Sequence, residues 1–538
     1  MGNKTVPAIS SIKMNFFDRV VTAVNPAAGM RRAQSRALIQ AASDTGYLSF
    51  GSSKRTLRGA RASLGSADAD INPKLAAIRI SSRDLYMNSP LATAAINRCK
   101  TNIVGYGLSL QSRIDRNILG LTDEQAEAWE RNTEREFSMW SKSKDCDASR
   151  SQNFYGMQSL VMVSTLMSGD VFVMLPYLTR KNSPYKLALK IIEADLVSNP
   201  SNTFDTEKIS GGVEFDDDGA PVRYHIQKSH PGTFWPTQAW TSVDVYGTES
   251  GRRNVLHLFE KTRPGQHRGV PLLAPVIEVL KMISRLSEAE LTAAVITSFF
   301  TVFVKGTADG ADPLQDGFAS SQKITDSSTD RDKNTYEMGP GNIIGLADGE
   351  DVTLADPKRP NAAFDPFFQG MVRQIGAAIE VPFEVLLLHF TASYSASRAA
   401  LLQGWKFFLS KRVWLKAEFC APVYEEWLFE AVAIGRISAP GFFLDASIRA
   451  AWSGSDWDGP GMGQLDPVRE TEAALARIKG NLSTYAKETA ALDGDNWDEV
   501  IVRRSREEKI VKSFGLEEKQ PAYKQAADAQ SQNGTEQP

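Results

Sequence analysis

Residues 263–271 read Arg-Pro-Gly-Gln-His-Arg-Gly-Val-Pro, and this stretch separates two parts of the chain with different patterns. Its Pro and Gly residues are typical of a tight turn, and Pro275 suits the first position of a helix. Residues 276–305 contain no Pro and no Gly before 306, which predicts one uninterrupted helix. At 1.5 Å per residue this helix would be roughly 45 Å long, more than a compact enzyme core normally needs.

The part of the chain before this stretch mixes helical and strand patterns. Helices are predicted to open at Asn72-Pro73, at the capping box Thr122–Gln125 and at Ser151. Short apolar and β-branched runs predict strands at 171–177, 187–192, 213–215, 222–226 and 255–259. Residues 66–270 therefore read as one α+β domain.

After the predicted long helix, polar segments alternate with helices. Residues 306–350 are rich in Gly, Asp, Ser and Thr and carry only short β signals such as Ile343–Leu346. Further helices are predicted at 365–380, 397–433, 467–480, 485–492 and 497–514. Pro422 lies inside the longest of them, so we expect a kink around residues 418–422. The order of elements indicates an extended layout of rods and inserts rather than a doubly wound sheet.

Composition limits the classes of protein to consider. The chain has 538 residues, 42% of them apolar and 23% charged, with a net charge of −3. This length favours two to four domains. The weak net charge argues against a protein that grips duplex DNA along its whole surface, although DNA could still slide past it. The first 63 residues are an exception, with ten basic and two acidic residues. They are interpreted either as an arm for an acidic partner or as a flexible leader.

No catalytic constellation is found in the sequence. Gly is never followed by Lys, which argues against a P-loop ATPase, and the three cysteines and five histidines show no metal-ligand spacing. We therefore expect no enzymatic activity, no cofactor and no metal. Asp216–Asp218 is interpreted as a solvated hairpin turn. The most apolar run, Leu291–Val304, is too short to span a bilayer, so no membrane association is expected.

Charged residues form a stripe along the predicted long helix. Glu278, Lys281, Arg285, Glu288 and Thr292 recur at spacings of three and four residues, which places them on one side of the helix. The stripe is either a solvated face, or it lies at a channel wall or a subunit seam and holds neighbouring helices in register.

The segment from His389 to Ser397 contains small hydroxyl residues and one aromatic residue. It is either a simple connector between two helices or a low-friction contact for a moving duplex. Basic residues here would instead grip phosphates and slow the movement of DNA. The residues considered for such a contact are His389, Thr391, Ser393, Tyr394 and Ser395.

Eight short motifs are found at 169–173, 192–196, 219–231, 263–271, 382–387, 394–400, 464–467 and 494–497. In these motifs the chain resembles the lambda-type portal proteins of tailed bacteriophages. Their order and spacing extend over residues 70–515. The family more commonly has Asn where this chain has Ser393, and it often has Asp where His389 stands.

The resemblance implies an α+β portal fold with a wing, a two-helix stem, a small clip, a long kinked wing helix and a helical crown, and it implies that copies form a ring. The implied regions are a basic N-terminal arm (1–65), wing (66–270), stem helix 1 (271–304), clip (305–350), stem helix 2 with its approach (351–382), tunnel loop region (383–397), long kinked helix (398–435), crown (436–515) and disordered tail (516–538). The wing–stem junction would consist of Arg263, Gly265, Gln266, Arg268, Gly269 and Pro271.

The function implied is that of a ring of twelve copies at one capsid vertex. Double-stranded DNA would be packaged and ejected through it without sequence preference. The ring would dock the large terminase subunit, then head-completion or adaptor proteins, and would contact the major capsid or scaffold protein. It would occur in the virion, and in the host cytoplasm during assembly. The channel would be lined by the tunnel-loop residues named above together with Lys281, Arg285 and Glu288. The alternatives are a structural tail or baseplate protein and a DNA-processing enzyme, which would need a clustered Asp/Glu metal site.

Overall fold

The computed structural model describes residues 65–181, 183–235, 237–298, 303–305, 344–346, 364–390, 393–463, 466–494 and 496–514. The chain divides into two compact units, Met1–Asp70 and Ile71–Pro538. Most of the predicted N-terminal arm, nearly all of the predicted clip and the predicted tail lie outside the described residues. None of the described helices is long and apolar enough to cross a membrane.

The described helices alternate with short strands. The helices are α1 (Ala67–Asn88), α2 (Pro90–Ile103), α3 (Arg116–Leu119), α4 (Asp123–Lys142), α5 (Phe154–Ser168), α6 (Ile277–Ser298), α7 (Phe364–Ala378), α8 (Phe383–Leu387), α9 (Tyr394–Leu415), α10 (Ala421–Ala433), α11 (Ala446–Trp452), α12 (Pro467–Lys479), α13 (Tyr485–Leu492) and α14 (Trp497–Ser513). The strands are β1 (Ser109–Ser112), β2 (Asp170–Met174), β3 (Lys190–Glu193), β4 (Ile209–Ser210), β5 (Val213–Phe215), β6 (Pro221–Gln227), β7 (Trp240–Asp244), β8 (Val255–Phe259), β9 (Phe303–Lys305), β10 (Ile344–Leu346) and β11 (Ser455–Asp458).

Two antiparallel sheets lie within the predicted α+β domain, whereas β1 of the same region pairs in antiparallel fashion with β11, far along the chain. One has the strand order β3-β2-β8 and the other the order β4-β5-β6-β7. The predicted hairpin is confirmed, since β5 pairs with β6. Asp216 holds its turn, because its carboxylate accepts hydrogen bonds from the backbone N–H groups of Asp218 and Ala220 at 3.0 and 2.8 Å. The three aspartates of this turn are exposed, as a solvated turn requires.

A cluster of aromatic side chains marks the centre of the main core. Phe137 of α4 lies at its middle, with ring-centroid distances of 5.0 Å to Trp427 and 5.7 Å to Tyr424, Phe154 and Trp457. All five side chains are buried. Edge-to-face contacts of this kind add to the free energy gained from burying apolar area. They join α4 and α5, early in the chain, to α10 and β11 near its end.

The first helix begins earlier than predicted. The structure has α1 from Ala67, so Asn72-Pro73 lies inside this helix instead of opening it. Asp68 and Asp70 supply negative charge to its first turn, where the helix dipole favours it. The next helix, α2, opens at Pro90, which occupies its first position.

The long helix after the 263–271 stretch ends earlier than predicted. It is a 22-residue helix, α6, and Phe303–Lys305 forms a strand that pairs in parallel with Ile344–Leu346. The assignment of residues 271–304 to a single stem helix is therefore wrong at its end. Residues 299–304 read Phe-Phe-Thr-Val-Phe-Val. Aromatic and β-branched residues favour strands. The prediction of a helix here relied on the absence of Gly and Pro instead.

The expected kink near Pro422 takes the form of a π-helical turn. Between α9 and α10, residues Lys416–Cys420 are π-helical, and the N–H of Ala421 donates to the carbonyl of Lys416. Pro422 has no N–H to offer to the carbonyl four residues before it, so the backbone widens there. The predicted helix thus forms with an interruption at the expected place, and it starts at Tyr394 rather than Ser397.

Candidate functional site at the wing–stem junction

Gln266 organises the turn of the 263–271 stretch from inside. Its side chain is fully buried. Its amide oxygen accepts hydrogen bonds from the N–H and hydroxyl of Thr262, at 2.9 and 3.0 Å, and from the N–H of Arg263 at 3.2 Å. Its amide nitrogen donates to the carbonyl of Arg268 at 2.7 Å. Gly265 has φ of 72°, a left-handed conformation that favours glycine. The turn therefore has one defined shape.

Arg268 ties this turn to both sheets. Its Nε donates to Asp170 Oδ2 at 2.7 Å, and its Nη2 donates to the carbonyl of Ala194 at 2.7 Å. Its Nη1 donates to the carbonyls of Val197, at 2.7 Å, and Gly211. The side chain is 2% exposed. A guanidinium presents its donors in a fixed planar fork, so this many partners define its position closely.

Asp170 is the centre of a buried charge network. Besides Arg268 it binds Arg79 Nη2 at 2.5 Å, His257 Nε2 at 3.3 Å and the N–H of Gly269 at 3.2 Å. Burial alone would raise the pKa of Asp170, but Arg268, Arg79 and His257 together hold it well below its usual range. Burial lowers the pKa of His257 to about 4, against the pull of Asp170, so the imidazole is neutral at pH 7. Burial lowers the pKa of Arg79 to about 10, which leaves it charged.

The network stabilises the local backbone, and its buried side chains are not accessible to a substrate. Its carboxylate is ionised, its imidazole is neutral, and its side chains are at most 5% exposed. Removing one partner would leave a buried charge uncompensated. Its role is to position the strand that starts at Asp170 against the turn that leads into α6.

Two glycines permit this close approach. A Cβ at Gly269 would overlap the carbonyl of Gly169, and a Cβ at Gly169 would lie 2.5 Å from the carbonyl carbon of Gly269. Gly169 also has φ of 93°. Glycine is therefore required at both positions by space, and at Gly169 by backbone conformation as well.

The predicted junction residues are only partly brought together. Gln266, Arg268 and Gly269 meet in the buried network, whereas Arg263 contributes its backbone N–H to Gln266. Pro271 is buried and its carbonyl accepts from the N–H of Ala274, at the approach to α6. The sequence reasoning missed Asp170, Arg79 and His257. A signal for Asp170 was present, because an acidic residue at the start of an otherwise apolar strand needs a buried partner.

Helices α6 and α7, called here the two rods, extend beyond the buried core. Ile283 is buried at 3% exposure, and from Ser284 to Val295 of α6 no residue is buried. In the same way, α7 has no buried residue before Val372. The stripe residues Glu278, Lys281, Arg285 and Glu288 are exposed, and no described residue forms an ion pair with them.

The predicted connector from His389 to Ser397 is shorter in the structure, because α9 already begins at Tyr394. His389 is exposed just after α8, and its N–H donates to the carbonyl of Glu384. Ser393 caps α9, since its hydroxyl accepts from the N–H of Ala396. Tyr394 and the exposed Ser395 therefore belong to the first turn of a helix, not to a connector. Thr391 and the side chain of Tyr394 lie outside the described part of the chain.

One further group of polar side chains deserves comparison with a metal site. Among the described residues, Glu193, Asp195 and His230 place potential ligand atoms close together. Arg83 Nη1 lies 2.6 Å from a carboxylate oxygen of both Glu193 and Asp195, so a cation already occupies the place between them. His230 Nε2 is 3.4 Å from Glu193. This arrangement is that of an ion-pair cluster.

The chain belongs to the lambda family of phage portal proteins. The family described as "Phage portal protein, lambda family" matches residues 53–412, which include the junction, α6, α7 and most of α9. The chain is 26% identical to portal protein B of Escherichia phage lambda over 86% of this chain and 88% of that protein. It is 26% identical to the portal protein of Escherichia phage N15 over 88% and 91% of the two chains. It is therefore a portal protein.

Solved structures with a similar arrangement come from a gene transfer agent particle. A chain in the neck of the empty particle is 13% identical, with a TM-score of 0.36, and the match covers 81% of this chain and 96% of that one. A chain in the neck of the native particle is 12% identical, with a TM-score of 0.35 and coverages of 78% and 93%.

Proposed function

We propose that copies of this chain stand side by side in a ring, with α6 and α7 of every copy forming a barrel around a channel. This proposal rests on the exposed apolar side chains of the two rods. Leu291 is 67% exposed, Val295 45% and Phe367 58%. Leu291 and Val295 follow the buried Ile283 on α6, and Phe367 precedes the buried Val372 on α7. An isolated helix of this length is marginal in water, and large apolar side chains exposed together mark an interaction surface. Neighbouring copies on both sides would cover them.

The ring would serve at one capsid vertex as the passage for double-stranded DNA during packaging and ejection. Membership of the portal family supports this role, as do the printed names of the lambda and N15 relatives. The net charge of −3 agrees with it, because a channel that bound many phosphates would hold the duplex in place. Closed rings need head-to-tail contacts, in which two different surfaces of the subunit meet. A ring of twelve copies is the form we propose.

The tunnel loop region and the charged stripe of α6 are the proposed contacts with the channel. We infer that His389, Thr391, Ser393, Tyr394 and Ser395 face the duplex. The exposure of His389, Ser393 and Ser395 supports this inference. Lys281, Arg285 and Glu288 would lie at the channel wall or at the seam between copies. We favour the seam between copies, because the opposite charges of these residues can attract one another there. A channel wall with one sign of charge would instead attract or repel the duplex as a whole.

The partners proposed for the ring are those of a DNA-packaging vertex. The large terminase subunit and later the head-completion or adaptor proteins would dock at the clip, residues 305–350. The ring would also contact the major capsid or scaffold protein. The ring would assemble in the host cytoplasm and remain in the virion, with hydrolysis of ATP left to the terminase.

The mass of the purified protein in solution tests the ring. Twelve copies of a 59.1 kDa chain would give a particle of roughly 0.7 MDa, and negative-stain images should show a closed ring with a central hole. A monomer or dimer at all protein and salt concentrations would contradict the proposal. A tail or baseplate protein would instead give a particle without a lumen that admits a duplex.

A further inference from the structure

We propose that the pocket between α7 and α9 is the seat for α6 of the neighbouring copy. This proposal rests on the ring described above and names the two surfaces that meet in it. The pocket has a volume of about 560 Å³ and lies where the end of α7, the following turn and the middle of α9 come together. Its lining includes Arg373, Glu380, Phe383, Lys406 and Phe407.

The walls of the pocket are held in place within the subunit. The N–H of Val381 donates to the carbonyl of Gly376 at 3.0 Å, which closes the turn after α7. A Cβ at Gly404 would lie 2.8 Å from Pro382 Cδ, so α9 passes directly against this turn. Arg373 lies over the ring of Phe383, 4.8 Å from its centroid. The pocket is therefore preformed, and a partner would enter it without reordering the backbone.

Glu380 is kept in a conformation that disfavours it. Its φ is 59°, in the left-handed region that favours glycine. Its side chain is exposed, and no described residue forms an ion pair with it. Its carboxylate is therefore accessible to a partner outside the subunit.

The charges of the pocket and of α6 are complementary in sign and order. Lys281 and Glu288 are seven residues apart on α6, roughly 10 Å along the helix. Arg373 lies on α7, and Glu380 lies two residues past the end of α7 at Ala378. All four side chains are exposed, and none has an ion-pair partner among the described residues. Lys281 can therefore face Glu380 while Glu288 faces Arg373.

The directions of the two rods agree with this pairing. The buried residues of α6 lie at its start and those of α7 at its end, so the first rod leaves the core and the second returns to it. The rods thus run in opposite directions, as the reversed order of charges requires. Rotation about a ring axis parallel to the rods moves a neighbour sideways and leaves its height unchanged. The α6 of one copy then lies level with the α7 of the next.

Exposed apolar side chains lie near charged residues on both surfaces. Leu402 and Leu409 of α9 flank Lys406 and are 43% and 39% exposed, and Met282 lies beside Lys281 with 50% exposure. Covering such side chains around a few charged pairs is the usual anatomy of a specific interface. A phosphate backbone is a poorer occupant of the pocket, because the carboxylate of Glu380 is part of its lining.

Cross-linking tests the proximity of the two surfaces. With Arg285→Cys and Ala377→Cys in the same chain, a flexible bismaleimide should join neighbouring copies and give a ladder of multimers on a denaturing gel. The native Cys99, Cys146 and Cys420 are buried and should not react in the folded ring. Each single variant, and Arg285→Cys paired with the exposed Glu249→Cys, should give monomers. Rings of full mass without a ladder would overturn the seat while leaving the ring itself intact.

Charge exchange tests the pairing. Arg373→Glu or Glu288→Lys alone should increase the concentration needed for half-assembly about tenfold, and the two together should restore it. Glu380→Gly should have the same effect as the single reversals without loss of thermal stability, because glycine accepts its φ. Reversal of the exposed Lys142 of α4 provides the control. If the single reversals change only the rate of DNA packaging, the stripe faces the duplex and the proposal is wrong. If the unmodified chain forms no ring, the proposed function fails first.

Discussion

The guanidinium of Arg268 lies 2.7 Å from the carboxylate of Asp170, 98 residues earlier in the chain, and both side chains are buried. The pair joins the last turn before α6 to the strand at the centre of the three-stranded sheet. Because Arg79 and His257 bind the same carboxylate, the direction in which α6 leaves the sheets is determined by several contacts at once.

Removing one member of this pair should destabilise the fold strongly. Arg268→Ala leaves Asp170 without its strongest partner, and we expect a loss of about 3–5 kcal/mol in the free energy of unfolding. Thermal and denaturant melting of purified protein would measure it. Substituting the exposed Lys261 by Ala, seven residues away, should change stability little. Equal melting of the two variants would show that the network is dispensable.

The contact between Gly169 and Gly269 should not tolerate a methyl group. Gly269→Ala places its Cβ against the carbonyl of Gly169, so the junction must open and the melting temperature should fall clearly. Gly370→Ala is a matched control on α7, because a Cβ there meets no atom within 4 Å. In a helix that change should stabilise by about 0.5–1 kcal/mol. A Gly269→Ala variant as stable as the parent would contradict the close approach.

Glu134 should make stability depend on pH near neutrality. Burial raises its pKa to about 7, although its carboxylate accepts a hydrogen bond from the N–H of Ser112 at 2.9 Å. A carboxyl group whose folded pKa lies above its unfolded value favours the folded state while it is protonated. Its contribution is complete below about pH 4.3, the unfolded pKa, and is lost as the pH rises toward 7.

Glu134→Gln keeps a neutral acceptor and should remove this dependence. We expect the variant to melt like the parent near pH 5 and at a higher temperature at pH 8. Melting curves between these values would measure the difference. Parallel curves for the two proteins would show that the carboxyl group does not titrate in this range.

A positive charge at the start of α9 should slow DNA movement. If residue 394 faces the duplex, Tyr394→Arg adds a phosphate contact that must break at every step, and packaging should slow or stall. Tyr394→Phe keeps the aromatic ring and should package at the parental rate. A packaging assay with purified rings, proheads and terminase would compare the three. Unchanged kinetics for Tyr394→Arg would place this residue away from the channel.

Local chemistry predicted much of the fold, whereas contacts between distant segments did not emerge from the sequence. Strand Val255–Phe259 and helix Tyr485–Leu492 match their predicted bounds, and the capping box at Thr122–Gln125 is present. These depend on propensity and turn chemistry within a few residues. The Asp170–Arg268 pair joins segments far apart in the chain, so a local pattern could indicate that Asp170 needs a buried partner but not which residue provides it.

The candidate site was predictable to a similar degree. The sequence indicated that the 263–271 stretch forms a tight turn before a long helix, and the structure confirms it. It did not show that Gln266 and Arg268 are buried, since polar residues in a turn usually face solvent. The channel role of the tunnel loop region and the stripe remains a prediction.

The π-helical turn at Lys416–Cys420 lets one long helix bury different faces before and after the turn. One additional residue in a turn rotates everything after it by about 100° around the helix axis. Upstream, Leu402, Leu409 and Val413 look outward. Downstream, Tyr424, Trp427 and Leu428 look inward. Deleting a residue such as Ala417 would restore a regular helix but swing the aromatic side chains out of the interior, so the irregular turn sets the phase between the two halves.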